Sequence, residues 1–403
     1  MMLKKILPNL ALMLVSILIT YSMLEIGFRI FRRMKLPQEY AEYYFQAIDA
    51  PIYLLDEKIG YRYKPNAQVF YANFNFDNTI LQSNHFNVNN LGHIAPNDDA
   101  LAKPDVEFRI AILGDSFTAS IHNDIPWTHL LEENLNADAD LKKSLRVAHF
   151  KVINFGMDGT GIAQWEQVAI NAVAPYTPDL VIINFITEDI RRKFVWRTSV
   201  QPKQSNSNYQ LGLMCSSLPA TLDNRDCAIL KMLVLKRAVF DDQNELSRIK
   251  REIYNQEVER IEWLAPYPEL VARTFGRLWG WDTRLTPSRR EIPYYESDAD
   301  AIRASASALQ NIRAHFPNVL VLHNPDPPET LDRSTPALVA RLMREPSGAD
   351  IVRMVNFLPQ AVDETEIKSW FKLPWDPHFS NYGAQVYAQA VYGRVRARLQ
   401  NAK

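Results

Sequence analysis

Hydrophobic and polar positions change period several times along this chain, and each change marks an element. Lys4 and Lys5 precede an apolar run from Ile6 to about Leu24, which continues through Glu25-Ile-Gly-Phe-Arg-Ile to Arg32 and Arg33. An apolar stretch of about 20 residues is long enough to cross a bilayer as a helix. No small-residue cleavage site follows it, so residues 1–35 read as a retained N-terminal transmembrane anchor and not a removed signal peptide. The terminal position and charged flanks weigh against a buried core helix. Arg29, Arg32, Arg33 and Lys35 face Lys4, Lys5 and the amino terminus across the run, and the positive-inside rule alone directs the body to the cytoplasm.

Residues 36–105 show no helical period. Turn-rich aromatic segments, such as Gly60-Tyr-Arg-Tyr-Lys-Pro65 and Asn87-Val-Asn-Asn-Leu-Gly92, predict short strands and loops in a leading segment packed on the next domain. A regular alternation then begins. Strands are predicted at 108–113, 145–153 and 179–185, with helices at 127–136 and 161–174 between them. From about 190 to 297 the pattern breaks into a charged, Trp-rich insertion with one predicted helix, Gln243–Leu264. It resumes with a helix from Asp298 to about Ala314, a strand at 318–323, a helix at 336–343, a strand at 351–355 and a last helix from Ser380 to about Leu399. Strands that are apolar throughout are covered on both faces. The expected fold is therefore α/β, a three-layer α/β/α sandwich with a five-stranded parallel sheet over residues 106–403, with ligands beyond the carboxyl ends of the strands.

Charge narrows the function. The 45 Lys and Arg balance 46 Asp and Glu among 403 residues, so no basic field is present to gather nucleic acid. The two cysteines, Cys215 and Cys227, have no partner ligands at zinc spacing; they either close a short disulfide loop or lie as free thiols. No metal site and no cofactor motif is expected.

Candidate chemistry falls at the sheet's carboxyl edge. Gly114-Asp115-Ser116 follows the first strand of the alternation, where a serine is exposed and its own N–H can face an oxyanion. Trp375-Asp376-Pro377-His378 precedes the last helix, and a histidine there can take the serine proton while a nearby carboxylate orients the ring. The other histidines, His122, His129, His149, His315 and His323, read as structural. Asn154-Phe-Gly156 follows the second strand and Glu188-Asp189 the third. Trp196, Trp263, Trp279 and Trp281 are either sugar-stacking platforms or packing.

The order Gly-Asp-Ser, Asn-x-Gly, a polar pair after Pro-Asp-Leu-Val-Ile, then Asp-x-His resembles the SGNH (GDSL) hydrolase superfamily, most of all its membrane-anchored bacterial members. Gly60-Tyr61 with Pro65-Asn66, and Asn90-Leu91-Gly92, match the usual leading texture of that group. The likeness spans about residues 55–190 and 318–395. It implies a flavodoxin-like catalytic domain with Ser116 as nucleophile, His378 as base and Asp376 as its orienting partner. It also implies oxyanion donors at the N–H groups of Ser116 and Gly156. Glu188 stands where the family usually has an Asn donor, and an ionised carboxylate there repels an oxyanion. One residue between Asp376 and His378, not two, also occurs in the superfamily, notably among polysaccharide O-acetylation proteins. The resemblance implies an ester-cleaving or acyl-transferring enzyme acting on an acylated, most of all acetylated, carbohydrate. A lipid-directed esterase and a non-catalytic glycan-binding or scaffolding protein are the alternatives. It further implies an extracytoplasmic body, periplasmic or at the cell surface, against the charge bias at the anchor.

Overall fold

The near-continuous β-branched runs become the strands of one parallel sheet. The computed structural model describes residues 12–28, 30, 44–48, 52–75, 80–195, 198–200, 211–213, 294–359, 363–373 and 376–401. The chain divides into two compact units, residues 1–45, 74–81 and 239–289, and residues 46–73, 82–238 and 290–403.

In the first unit, residues 12–28 are helical. Leu12, Leu18 and Met23 on this helix are about two-thirds exposed. Among the described residues no helix is long and apolar enough to cross a membrane. The described part of the expected span is thus a helix over 12–28 with its apolar side chains outward.

The second unit holds the sheet and most of the leading segment. An antiparallel hairpin, β1 (Tyr53–Asp56) and β2 (Gly60–Tyr63), comes first. The sheet follows with β3 (Glu107–Gly114), β4 (His149–Gly156), β5 (Leu180–Phe185), β6 (Val319–His323) and β7 (Val352–Arg353). Its order is β7-β6-β5-β3-β4, and every pairing is parallel. The chain steps from β3 outward to β4, then crosses back to β5. The switch point, where such sheets bind ligands, therefore lies between the carboxyl ends of β3 and β5.

Alternate residues of each strand feed two separate cores. Ala111, Leu113, Ile153, Val181, Ile183 and Val321 enter one, with Tyr53, Tyr61, Tyr63 and Trp165. Ile110, Ile112, Val152, Leu180, Ile182 and Leu322 enter the other, with Trp127, Trp370 and Tyr387. The helices are α1 (Ser116–Ala119), α2 (Trp127–Ala137), α3 (Ala139–Leu145), α4 (Ile162–Val168), α5 (Asp298–His315), α6 (Pro327–Asp332), α7 (Ala337–Leu342), α8 (Glu364–Trp370) and α9 (Asn381–Asn401).

Three details differ from the pattern-based reading. Residues 145–148, assigned to the second strand, fall at the end of α3 and in the turn after it, where Arg146 adopts φ 59°. Ser297, not Asp298, caps α5, its hydroxyl accepting the Asp300 N–H at 3.1 Å. β7 is cut to two residues because the chain at Met354–Asn356 tightens into a 3₁₀ turn. Most of the insertion lies outside the described residues, including the helix expected at Gln243–Leu264, the four tryptophans named above, Cys215 and Cys227.

Candidate active site

β3 delivers the serine. The strand ends at Gly114, and Asp115 breaks it with φ −90° and ψ −151° while its carboxylate accepts the Phe117 N–H at 2.9 Å. That cap starts α1 with Ser116 at its first position. Gly114 and Gly156 face each other across β3 and β4. A Cβ on Gly156 would come within 2.2 Å of the Ala119 N, so only glycine lets α1 sit this close to the sheet.

The loop before α9 supplies the partners. His378 Nε2 lies 2.7 Å from Ser116 Oγ. Its Nδ1 faces Asp376 Oδ1 in a short hydrogen bond, and the same oxygen accepts the His378 backbone N–H at 2.8 Å. Residues 262 apart in sequence thereby form one line from hydroxyl to ring to carboxylate. Phe117 backs the imidazole with ring centroids 4.6 Å apart. Asp376 is 1% exposed; burial opposes its ionisation, but the His378 and His122 charges and the hydrogen bonds from His378 outweigh it and hold the carboxyl well below the usual range. It is a permanent anion beside the ring.

His122, read from sequence as structural, belongs to this cluster. Its ring stacks on His378 at 3.9 Å between centroids, and its Nδ1 is 3.6 Å from the other Asp376 oxygen. Burial first, then the nearby His378, push His122 well below the ordinary imidazole range. Lys372 donates its ammonium to the His122 carbonyl, and burial brings it down to about 8. His122, Asp376 and His378 each bring a donor atom within 4.8 Å of the others. His378 already engages Ser116 and Asp376 through its two nitrogens, so the arrangement is that of a proton relay.

The anion-stabilising side departs from expectation. The Gly156 N–H donates to Asn154 Oδ1 at 2.9 Å, so it is engaged within its own strand end. Gly159, three residues on, adopts φ +67°, a conformation that favours glycine, and its N–H has no hydrogen-bond acceptor among the described residues. The Ser116 N–H likewise has none there. Sequence reasoning stopped at the first glycine of Gly156-Met-Asp-Gly159; the signal that separates the two is backbone conformation. Glu188 sits on a 3₁₀ turn after β5, where its carboxylate accepts from Arg191 Nη1 at 3.1 Å. Asn184 does not substitute for it: its amide donates to Thr118 Oγ1 at 3.0 Å and its carbonyl accepts from Tyr387 at 2.5 Å.

Beneath the serine lies a buried ionic group that the sequence did not disclose. Arg192 Nη1 donates to Asp115 Oδ2 at 3.0 Å, to the Thr160 carbonyl at 3.1 Å, and to Asp189. Burial and the neighbouring Asp115 push Asp189 well above the usual carboxylate range, against the Arg192 charge. One guanidinium thus ties together the loops after β3, β4 and β5.

Residues 110–261 match the family model described as GDSL-like Lipase/Acylhydrolase. No curated protein matches the chain. Among solved structures, a catalytic mutant of Axe2, an acetylxylan esterase from Geobacillus stearothermophilus, is similar at 10% identity and TM-score 0.36, over 72% of this chain and 94% of that one. The lipase/acylhydrolase from Enterococcus faecalis is similar at 14% identity and TM-score 0.24, over 72% and 96%. A carbohydrate esterase family 2 enzyme with a carbohydrate binding domain, from Corynascus thermopiles (Myceliophthora fergusii), is similar at 12% identity and TM-score 0.29, over 89% and 87%. The matched family is one of ester hydrolases, and the chain carries the chemistry of a serine hydrolase.

Proposed function

We propose that this protein is a membrane-anchored serine esterase or O-acyltransferase that works through an acyl-enzyme. The observation that carries this reading is the unbroken line from Ser116 Oγ through His378 to the ionised Asp376. Ser116 Oγ attacks the ester carbonyl carbon as its proton passes to His378 Nε2. Asp376 holds the ring in the tautomer that can accept there and stabilises the imidazolium. The carbonyl oxygen gains the electron pair and is met by the N–H groups of Ser116 and Gly159. Collapse of that intermediate expels the alkoxide, which takes the proton from His378. His378 then takes the proton of the second nucleophile as its oxygen bonds to the acyl carbon, and returns that proton to Ser116 Oγ as the acyl–serine bond breaks. Water makes the enzyme an esterase and a sugar hydroxyl makes it a transferase, with the same residues in the same roles.

Three finer readings rest on narrower support. The one-residue Asp376-Pro377-His378 spacing, shared with polysaccharide O-acetylation proteins, favours an acetyl group on a carbohydrate. The exposed Leu12, Leu18 and Met23 favour a bilayer around the N-terminal helix. The same resemblance favours a body outside the cytoplasm. Glu188 is the one feature that favours a catalytically impaired relative that binds glycan or scaffolds a membrane complex. Its contact with Arg191 answers part of that objection, because a neutralised carboxylate repels an oxyanion less.

Fluorophosphonate labelling of the full chain in detergent tests the proposal, beside Ser116→Ala and Glu188→Asn. Labelling of the parent that vanishes in Ser116→Ala is the expected result. Labelling found only in Glu188→Asn would mean a site disabled at its oxyanion hole, and silence in all three folded proteins would favour the scaffold.

A further inference from the structure

The leading hairpin converges on a single residue of the loop after β4. Tyr53 donates its hydroxyl to Asp158 Oδ2 at 2.9 Å, and Tyr61 donates to the Asp158 carbonyl at 2.8 Å. The Asp158 N–H donates to the Tyr63 hydroxyl at 3.2 Å. Both backbone groups and the carboxylate of one residue are therefore held by alternate tyrosines of β1 and β2. The three rings lie 5.3 to 5.9 Å apart, and each is at most 3% exposed. Asp158 itself is fully buried.

The hairpin is fixed at its other end. Gly60 turns it with φ +93°, and a Cβ there would meet the Val195 carbonyl at 2.2 Å. Gln164, in the first turn of α4, donates to the Ile59 carbonyl at 2.8 Å and to the Val195 carbonyl at 3.0 Å. The Gly60-Tyr61 pair singled out in the sequence is thus where the hairpin locks to the helix that follows the loop.

Packing alone does not call for this arrangement. Phenylalanines would fill the same volume, and an apolar residue at 158 would avoid burying a carboxylate that must be hydrogen-bonded. What the hydroxyls add is orientation. The Asp158 carbonyl and the Gly159 N–H belong to one peptide unit, which is planar and trans. Holding the carbonyl oxygen therefore aims the N–H in the opposite direction. A carbonyl that accepts a hydrogen bond also polarises its peptide and makes that N–H a stronger donor.

We infer that the Tyr53–Tyr61–Tyr63 hairpin is a positioning element of the active site, with Tyr61 setting the direction of the Gly159 N–H toward the developing oxyanion. This rests on the reading of Ser116 as nucleophile and Gly159 as oxyanion donor. Tyr61 is a positioning residue, since it acts through the peptide and touches no reacting atom.

The test is Tyr61→Phe in the full chain, with Tyr53→Phe as a second variant that loosens the same residue through its carboxylate. Three quantities are read: kcat and KM for p-nitrophenyl acetate, the inhibition constant of methylboronic acid, and the pH profile of kcat/KM. Loss of an oxyanion donor costs about a hundredfold or more, so a misdirected donor is expected to lower kcat about ten- to a hundredfold. KM should move less than threefold, the boronate should weaken in step with kcat/KM, and the pH limb of the base should stay in place. A kcat within twofold of the parent in both variants overturns the inference while leaving the serine reading intact. So does a fallen kcat with unchanged boronate affinity, which marks a merely structural effect. A parent that neither turns over the ester nor takes fluorophosphonate overturns both together.

Discussion

Asp376 shows how little of a side chain's role lies in its own chemistry. Buried alone, its carboxyl would hold its proton; beside His378 and His122 it stays ionised at any working pH. Asp376→Asn keeps the shape but removes the charge and offers the ring the wrong tautomer. By the logic of serine triads, kcat should fall by about three to four orders of magnitude, read with p-nitrophenyl acetate, while fold and melting curve persist. Lys372 gives a second outcome at this scale. Its folded value of about 8 lies below the ordinary lysine value of 10.5, so between them the unfolded chain binds more protons than the native one. Stability contributed by this group therefore rises with pH from about 8 toward 10.5, and Lys372→Met should flatten that rise in denaturation midpoints across the range.

At the scale of elements, one buried carboxylate helps bind the leading segment to the sheet. Asp99 meets His93 Nδ1 at 2.7 Å, Asn89 Nδ2 at 2.6 Å, and Lys151 of β4 at 2.8 Å. Burial works against its charge, yet His93 and Lys151 prevail and lower it from 3.8 to about 2. A depressed carboxyl contributes fully above its unfolded value and loses that contribution as pH falls from about 3.8 to about 2. The amount is about 2 kcal/mol, because a tenfold change in proton affinity is worth about 1.4 kcal/mol. Urea midpoints measured down that window should show the loss, and Asp99→Asn should both destabilise the protein at neutral pH and remove this acid limb. Short elements were the ones missed in the sequence: α3 is seven residues long and α6 six, too few for a periodic signal. Their caps, Asp138 and Asp326, carry the local information in place of period. α4, also seven residues, runs directly into a π segment at Ala169–Val173.

For the whole molecule, the N-terminal helix and the sheet that bears the serine belong to different compact units. If the helix is a membrane anchor, the full chain should float with phosphatidylcholine vesicles, and a chain starting at residue 36 should stay with the soluble fraction while keeping fluorophosphonate labelling. Equal flotation of both would remove the anchor from the proposal.

The parallel sheet was legible because its strands are apolar on both faces, a pattern that local composition carries without knowledge of neighbours. The serine and the Asp-x-His pair were legible because each sits next to an element boundary. What joins them was not: His122, Arg192 and the three tyrosines reach the site from distant stretches, with no short-range signature. The proposal of Gly159 over Gly156 turned on which N–H lacks an acceptor among the described residues. Sequence by itself determined the long elements and the candidate reacting groups, since these depend on residue type and local period. Tertiary structure alone decided which backbone donors are engaged and which charges meet, because both are set by distances between segments far apart in the chain.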